Sequence, residues 1–248
     1  NLVGSHDTQR VISALDGYQK SKHGFAKDPT DMAKAKMKLI PFLQMTYIGA
    51  PTIYYGDEIG MAGCDDPDNR RGFTWGRGDK ELVEWYSSLA AIRREYSSLR
   101  TGDVRPAEVQ KEFENDVLAF TRIDSESKIL TAANRLENAI ITEIKTPGIE
   151  DGTKLTNLLN KDEVYTVKDG MVKVNIPAYN GVILADVVKY VKADLEDLKD
   201  AYSEDNQVSD RVVPKTDKEL INEINTAKDG DSIVISENND SISLELLK

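Results

Sequence analysis

Apolar and polar positions alternate with two different periods along this chain, and the change between them falls near Gly102. Before it, Ala33, Met37, Ile40, Leu43 and Tyr47 recur at three- and four-residue steps, the spacing of one helical face. Thr30 or Asp31 can cap that helix, and Pro41 inside it removes a backbone donor and should kink it. A second stripe, Leu82, Trp85, Leu89, Ile92, Tyr96 and Leu99, is the cleanest helical signal in the chain and reads as core. Leu2-Val3 and the β-branched, aromatic run Pro51 to Tyr55 read as short buried strands. The first hundred residues thus carry the strand, helix, strand, helix order of a parallel sheet covered by helices.

After Gly102 the period falls to two. Strands are expected at 117–123, 128–133, 139–144, 164–167, 171–176 and 182–185, an antiparallel β domain. Asp169-Gly170 between two of them is a tight-hairpin signal, because both central residues need positive φ. Beyond Asp186 the composition shifts again: fifteen acids stand against eight bases in the last 62 residues. Val191 to Tyr202 reads as an acidic amphipathic helix, 203–214 as a linker, 215–228 as a helix and 232–236 as a strand.

The 248 residues carry a formal charge of −11 with 40% hydrophobic content, enough to bury a core. Nucleic acid is excluded as a partner, because phosphate contacts need clustered Lys and Arg. No run of about 18 apolar residues is present, so no membrane span is expected. The single cysteine, Cys64, cannot form an internal disulfide, and without a His neighbour it lacks the usual activation. His23 sits in a polar loop and is taken as exposed, with no role. The chain opens inside a strand without a methionine, so an excised portion of a longer protein is expected.

Three motifs carry chemistry. NLVGSHDTQR at 1–10 puts a His-Asp step at a strand end, GAPTIYYGDEIG follows at 49–60, and DPDNRRGFTW at 66–75. A His-Asp step alone is commonly a helix cap. In this order, the three resemble the fourth conserved region of the α-amylase family of glycoside hydrolases, the turn into its eighth barrel strand and the loop after it. The third motif is typical of neopullulanase, cyclomaltodextrinase and amylopullulanase-type members. The β segment ending near 186 likewise resembles the domain that follows the barrel in that subgroup.

That resemblance implies an α/β plus all-β architecture. Residues 1–101 would be the last strands and helices of a (β/α)8 barrel, 102–186 a small antiparallel β-sandwich domain, and 187–248 a linker, an acidic α+β extension and the start of a further module. It implies retaining hydrolysis of α-glucosidic bonds in starch, pullulan or maltooligosaccharides. Asp7 would be the transition-state-stabilising carboxylate, and His6, Asp66 and Arg70 would bind sugar hydroxyls, with Trp75 able to stack on a ring or close the barrel end. Asp57 and Glu58 would be structural. No segment resembles the family regions that supply the nucleophile and the acid/base, so the chain alone is expected to be inactive.

No cofactor is expected. The acidic run Asp65, Asp66, Asp68, Asn69 lacks EF-hand spacing, so no metal is expected either, although the family resemblance allows calcium in parts outside this sequence. The expected partner is an α-glucan, with the rest of a barrel or a second copy covering exposed sheet edges. The extension after the β domain points to an extracellular or cell-surface protein rather than a cytoplasmic one. The competing reading is a non-catalytic carbohydrate-binding or cell-surface module.

Overall fold

A computed structural model describes residues 1–17, 26–193 and 201–202. The helices are α1 (Val11–Leu15), α2 (Asp31–Met37), α3 (Leu39–Thr46), α4 (Lys80–Glu95) and α5 (Ser97–Thr101). The strands are β1 (Asp103–Pro106), β2 (Val117–Ile123), β3 (Lys128–Asn134), β4 (Ile140–Lys145), β5 (Lys154–Asn157), β6 (Val164–Thr166), β7 (Met171–Ile176) and β8 (Asn180–Ala185).

The expected single helix through Pro41 is two. Thr30 caps α2, its Oγ1 accepting from Ala33 N at 3.2 Å. The break falls at Lys38, within the turn that a proline four residues on from Met37 leaves short of a donor. The Lys38 carbonyl at the break accepts from Phe42 N at 3.4 Å and from the Trp85 indole at 2.9 Å, so the break is tied to α4. That helix starts at Asp79, whose Oδ1 accepts from Leu82 N at 3.1 Å. It ends before the expected stripe does: Tyr96 leaves the helix and Leu99 sits in α5, yet both remain fully buried.

Six strands form one antiparallel sheet in the order β1-β2-β3-β8-β5-β6, and β4 with β7 forms a second, two-stranded sheet. The period-two pattern decides which side chain faces which layer. Leu130 and Ala132 of β3 and Val182 and Leu184 of β8 pack toward the second sheet, against Ile144, Val172, Val174 and Ile176. Ile129 and Ala133, with Ile183 and Ala185, face the other way and pack on Phe42, Leu89, Ile92, Tyr96 and Leu99. The large sheet is therefore covered on both faces, by a sheet on one side and by α3, α4 and α5 on the other. Gly181 permits this approach, because a Cβ there would lie 2.3 Å from Phe42 Cζ.

Asp169 and Gly170 adopt φ of 53° and 70°, the turn their sequence expects. The hairpin stops after one bridge, Lys168 to Met171, because β6 pairs with β5 while β7 pairs with β4. Two short strands, β1 and β5, and the single-turn helices α1 and α5 lie in stretches whose patterns are too short to announce them.

The two buried strands expected near the N-terminus are reduced to one parallel bridge, Leu2 to Thr52. Their apolar side chains are not buried: Leu2 is 61% exposed and Ile53 40%. A parallel ladder is stable when both faces are covered and neighbouring strands continue it, and neither condition holds here. Side chains hold the bridge instead. Gln44 Nε2 donates to Asn1 O at 3.1 Å and Thr52 O at 3.0 Å, and Asn1 Nδ2 donates to Ile48 O at 2.7 Å.

Two buried arginines without carboxylate partners fasten the end of α3. Arg93 Nη1 donates to Met45 O (2.8 Å), Tyr47 O (3.2 Å) and Leu99 O (2.7 Å), and its Nη2 to Gly49 O (2.6 Å). Arg122, from β2, reaches Thr46 O at 3.0 Å and Gly102 O at 3.1 Å. Positive charge at a helix C-terminus is favourable, and burial lowers both guanidinium pKa values.

After β8 the described chain returns at Ala201–Tyr202, which pack on Ile59, Met61 and Val83. Residues 191–193 are not helical. Residues 194–200 of the expected 191–202 helix, the linker, the 215–228 helix, the 232–236 strand and His23 lie outside the described residues. None of the described helices is long and apolar enough to cross a membrane.

Replacing Arg93 by Met would strand the buried carbonyls of Met45 and Leu99, at about 1–3 kcal/mol each where no water reaches. Arg93→Met is expected to lower unfolding free energy by more than about 2 kcal/mol, and Arg94→Met, on the exposed side of the same turn, by less than about 0.5 kcal/mol. Urea unfolding of the two variants checks this. Equal losses would show that the buried guanidinium is not what secures α3.

Candidate active site

Four polar side chains from two distant segments meet at one end of the Leu2–Thr52 bridge. The first segment turns at Ser5–Thr8, where Thr8 N donates to Ser5 O at 3.3 Å and Ser5 Oγ accepts from Asp7 N at 3.2 Å. His6 and Asp7 project from this turn, with His6 Nε2 3.2 Å from Asp7 Oδ2. The second segment is the loop containing the short 3-10 turn Asp68–Arg70. Its Arg70 guanidinium lies between two carboxylates, with Nε 3.2 Å from Asp66 Oδ1 and Nη2 3.8 Å from Asp7 Oδ1. Arg70 Nε also donates to His6 O at 3.1 Å.

The structure therefore brings all four sequence-expected residues, His6, Asp7, Asp66 and Arg70, into one cluster. They are solvent-facing: the Asp7 side chain is 71% exposed and that of Arg70 45%. Ion pairs so hydrated contribute little to folding, which leaves these groups available to a ligand. Trp75 is also exposed and rests against Phe73 with ring centroids 4.6 Å apart.

Beneath the exposed cluster lies a buried polar layer that sequence reasoning largely missed. Asp68 is buried, accepting from Cys64 N at 2.6 Å and Ala26 N at 2.8 Å while paired with Arg71. Adjacent arginines thus have opposite fates, Arg71 turned inward on a carboxylate and Arg70 outward. Asn69, also buried, donates from Nδ2 to His6 O at 2.8 Å and Thr8 O at 3.0 Å. Gly63 lets this loop close: a Cβ on it would stand 2.9 Å from Asn69 Cα and from Arg10 Cγ. The run DPDNRR held these positions in view, but nothing in its residue types separates inward from outward members.

Arg10 is the other hidden member, 1% exposed. Its guanidinium lies 4.2 Å from the Tyr54 ring centroid and 4.6 Å from that of Tyr55. Nη1 donates to Tyr55 O and sits 3.4 Å from Asp57 Oδ1. It therefore joins the segment after the first bridge residue to the segment after the second. Asp57 lies in this layer, 6% exposed and paired with Arg10. Burial pushes the Asp57 carboxyl up to about 6, more than the neighbouring Arg10 charge pulls it down. Burial likewise raises Glu58 and the Cys64 thiol.

Among the described residues no three His, Cys, Asp or Glu side chains converge as metal ligands. An apolar groove of about 250 Å³ is lined by Asn1, Leu2, Val3, Ile40, Leu43, Gln44, Tyr47 and Leu118. None of the four clustered polar residues lines it.

Residues 1–95 match the family model described as "Alpha amylase, catalytic domain". An amylopullulanase of Thermoanaerobacterium saccharolyticum is 36% identical over 197 residues, covering 74% of this chain and 15% of that protein. A cyclomaltodextrinase of Geobacillus thermopakistaniensis is 34% identical over 187 residues, covering 75% of this chain and 28% of the relative. Among solved structures, an Anoxybacillus α-amylase superposes with a TM-score of 0.59 at 25% identity, over 75% of this chain and 37% of that one. The chain is thus similar to the α-amylase family over residues 1–95, and to the amylopullulanase and the cyclomaltodextrinase over 74% and 75% of its length. It spans well under a third of the length of these two sequence relatives.

The raised Asp57 pKa fixes a sign. The folded state holds this proton up to about pH 6, whereas the unfolded chain releases it near 3.8. The folded state therefore binds more protons between those values, and the stability linked to Asp57 falls as pH rises from about 4 to about 6. Asp57→Asn removes that component, so its stability relative to wild type should climb across this window and level off above it. Urea midpoints at pH 4.5 and 7.5 measure the difference, and a pH-independent offset would refute it.

Proposed function

We propose that this chain is part of a retaining α-glucan hydrolase acting on starch, pullulan or maltooligosaccharides. On this reading residues 1–101 form the closing portion of its (β/α)8 barrel, and 102–186 the β domain after it. The observation that carries the reading is the meeting of His6, Asp7, Asp66 and Arg70 across more than fifty residues of chain.

The chemistry fits a neutral polyol. In retaining hydrolysis one carboxylate attacks the anomeric carbon while a carboxylic acid protonates the leaving oxygen, through an oxocarbenium-like transition state. Asp7 accepts hydrogen bonds from sugar hydroxyls beside the scissile bond, and these strengthen as the ring distorts and water is excluded. His6 donates to the same sugar. Arg70 offers a planar fork to paired hydroxyls, and Asp66, 3.2 Å from it, both orients that fork and accepts from a further hydroxyl. The nucleophile and the acid/base are assigned to residues outside this sequence, so the chain alone grips glucan without cleaving it. No cofactor is required by this chemistry, and an exported, cell-surface setting suits a polymeric substrate.

Titrating maltoheptaose into the full chain while following backbone amide NMR signals tests this. Signals of residues 5–8 and 66–71 should shift, Asp7→Ala and Arg70→Ala should each weaken binding about tenfold or more, and starch, pullulan and maltotriose should not be turned over. Turnover comparable to an intact amylase would overturn the assignment of the missing groups. Shifts confined to 103–186 would make the chain a carbohydrate-binding module instead.

A further inference from the structure

We infer that Asn69 is the positioning residue of this site, its buried carboxamide setting the backbone turn from which His6 and Asp7 project. The inference deepens the glucan reading and rests on it for its ligand, but the geometry it concerns belongs to the free protein.

The turn at Ser5–Thr8 has little to hold it. Its internal bonds, Thr8 N and Thr8 Oγ1 to Ser5 O (both 3.3 Å), Ser5 N to Thr8 Oγ1 (3.1 Å) and Asp7 N to Ser5 Oγ (3.2 Å), are long and lie at the exposed surface. Water competes for each of them, so their net contribution is small. The preceding segment gives no ladder either, since among the described residues its only sheet contact is the single bridge from Leu2.

The two bonds from Asn69 differ in kind. Both hydrogens of one amide nitrogen are used, at 2.8 Å on His6 O and 3.0 Å on Thr8 O. The donor side chain is 2% exposed, and a donor that cannot fall back on water is costly to leave unpaired. The two accepting carbonyls belong to the His6–Asp7 and Thr8–Gln9 peptide units, one directly before Asp7 and one a residue beyond it, so the carboxamide brackets Asp7 and constrains the direction of its side chain. The His6 carbonyl takes Arg70 Nε at 3.1 Å as its second donor, which sets the exposed guanidinium by reference to the same atom.

Asn69 is itself immobile for stated reasons. Its backbone lies against Gly63, where even a methyl group would collide, and the next residue back, Asp68, is pinned by two backbone amides and Arg71. The chemistry requires a short amide at this position. Aspartate has the same shape but supplies acceptors where both partners are acceptors, and Leu fills similar space with no donor. Asn69 touches no ligand group of its own on this assignment; it acts through His6 and Asp7.

The test compares wild type, Asn69→Asp, Asn69→Leu and, as a control in the same loop, Asp65→Asn. In ligand-free protein, amide exchange at Asp7 and Thr8 should accelerate about tenfold in both Asn69 variants, with β-sheet amide signals unchanged and the control unaffected. Maltoheptaose affinity should fall about tenfold in the same two variants. Unchanged exchange and chemical shifts at residues 5–8 in Asn69→Asp would overturn the positioning role. If wild type shows no maltoheptaose shifts at all, the glucan reading fails, and the ligand-free exchange data still decide the role of Asn69. Should Asn69→Leu lose the sheet signals, Asn69→Asp, with nearly unchanged volume, carries the comparison.

Discussion

The segment after α3 is held by donors from outside it, and the site depends on that arrangement. Arg93 and Arg122 together take the carbonyls of Met45, Thr46, Tyr47 and Gly49, while Gln44 and Asn1 take those of Thr52 and Ile48. Buried carbonyls must find donors, and here side chains supply what strand neighbours would. Because Thr52 is thereby fixed against Leu2, the two segments that follow, ending at Asp7 and at Asp57, start from defined positions. Arg10 then ties them to each other through Tyr55 and Asp57.

Arg93 and Arg122 also explain why the helical and β regions form one packed body. Arg93 reaches from α4 to the ends of both α3 and α5, and Arg122 reaches from the sheet to α3 and Gly102. The apolar layer between helices and sheet lies around these contacts, with Phe42 against Gly181. Apolar packing supplies most of the energy and is indifferent to direction. The guanidinium forks, whose partners must lie in particular directions, select one docking of helix on sheet.

What the sequence makes legible follows from which signals are local. Period two along 117–123, 128–134 and 171–176 and the stripe from Leu82 to Leu99 are local, and the corresponding elements exist. Pairing is not local: Asp169-Gly170 makes its turn, yet the strands beside it separate into different sheets. Leu2 and Ile53 have strand-like sequence but lack the neighbours a parallel ladder requires. At the site, His6, Asp7, Asp66 and Arg70 were reached through motif order. Asp68 and Asn69 stand out in the sequence only as members of an acidic run, and Arg10 not at all, because their roles depend on carbonyls and amides that no side-chain pattern encodes.

The division between inward and outward charges bears on the chemistry. Asp68 with Arg71 and Asp57 with Arg10 satisfy or neutralise charge beneath the surface, whereas Asp66, Arg70, Asp7 and His6 remain at the water interface. The outer set carries two carboxylates against one permanent cation, so it repels anionic ligands and has acceptors to spare for hydroxyl donors. A phosphorylated or acidic sugar would face that excess, while a neutral glucose unit would exchange hydrated ion pairs for hydroxyl contacts at little electrostatic cost. The buried layer holds the exposed groups together without using them for folding, which is the condition a surface must meet to be both stable and free to bind.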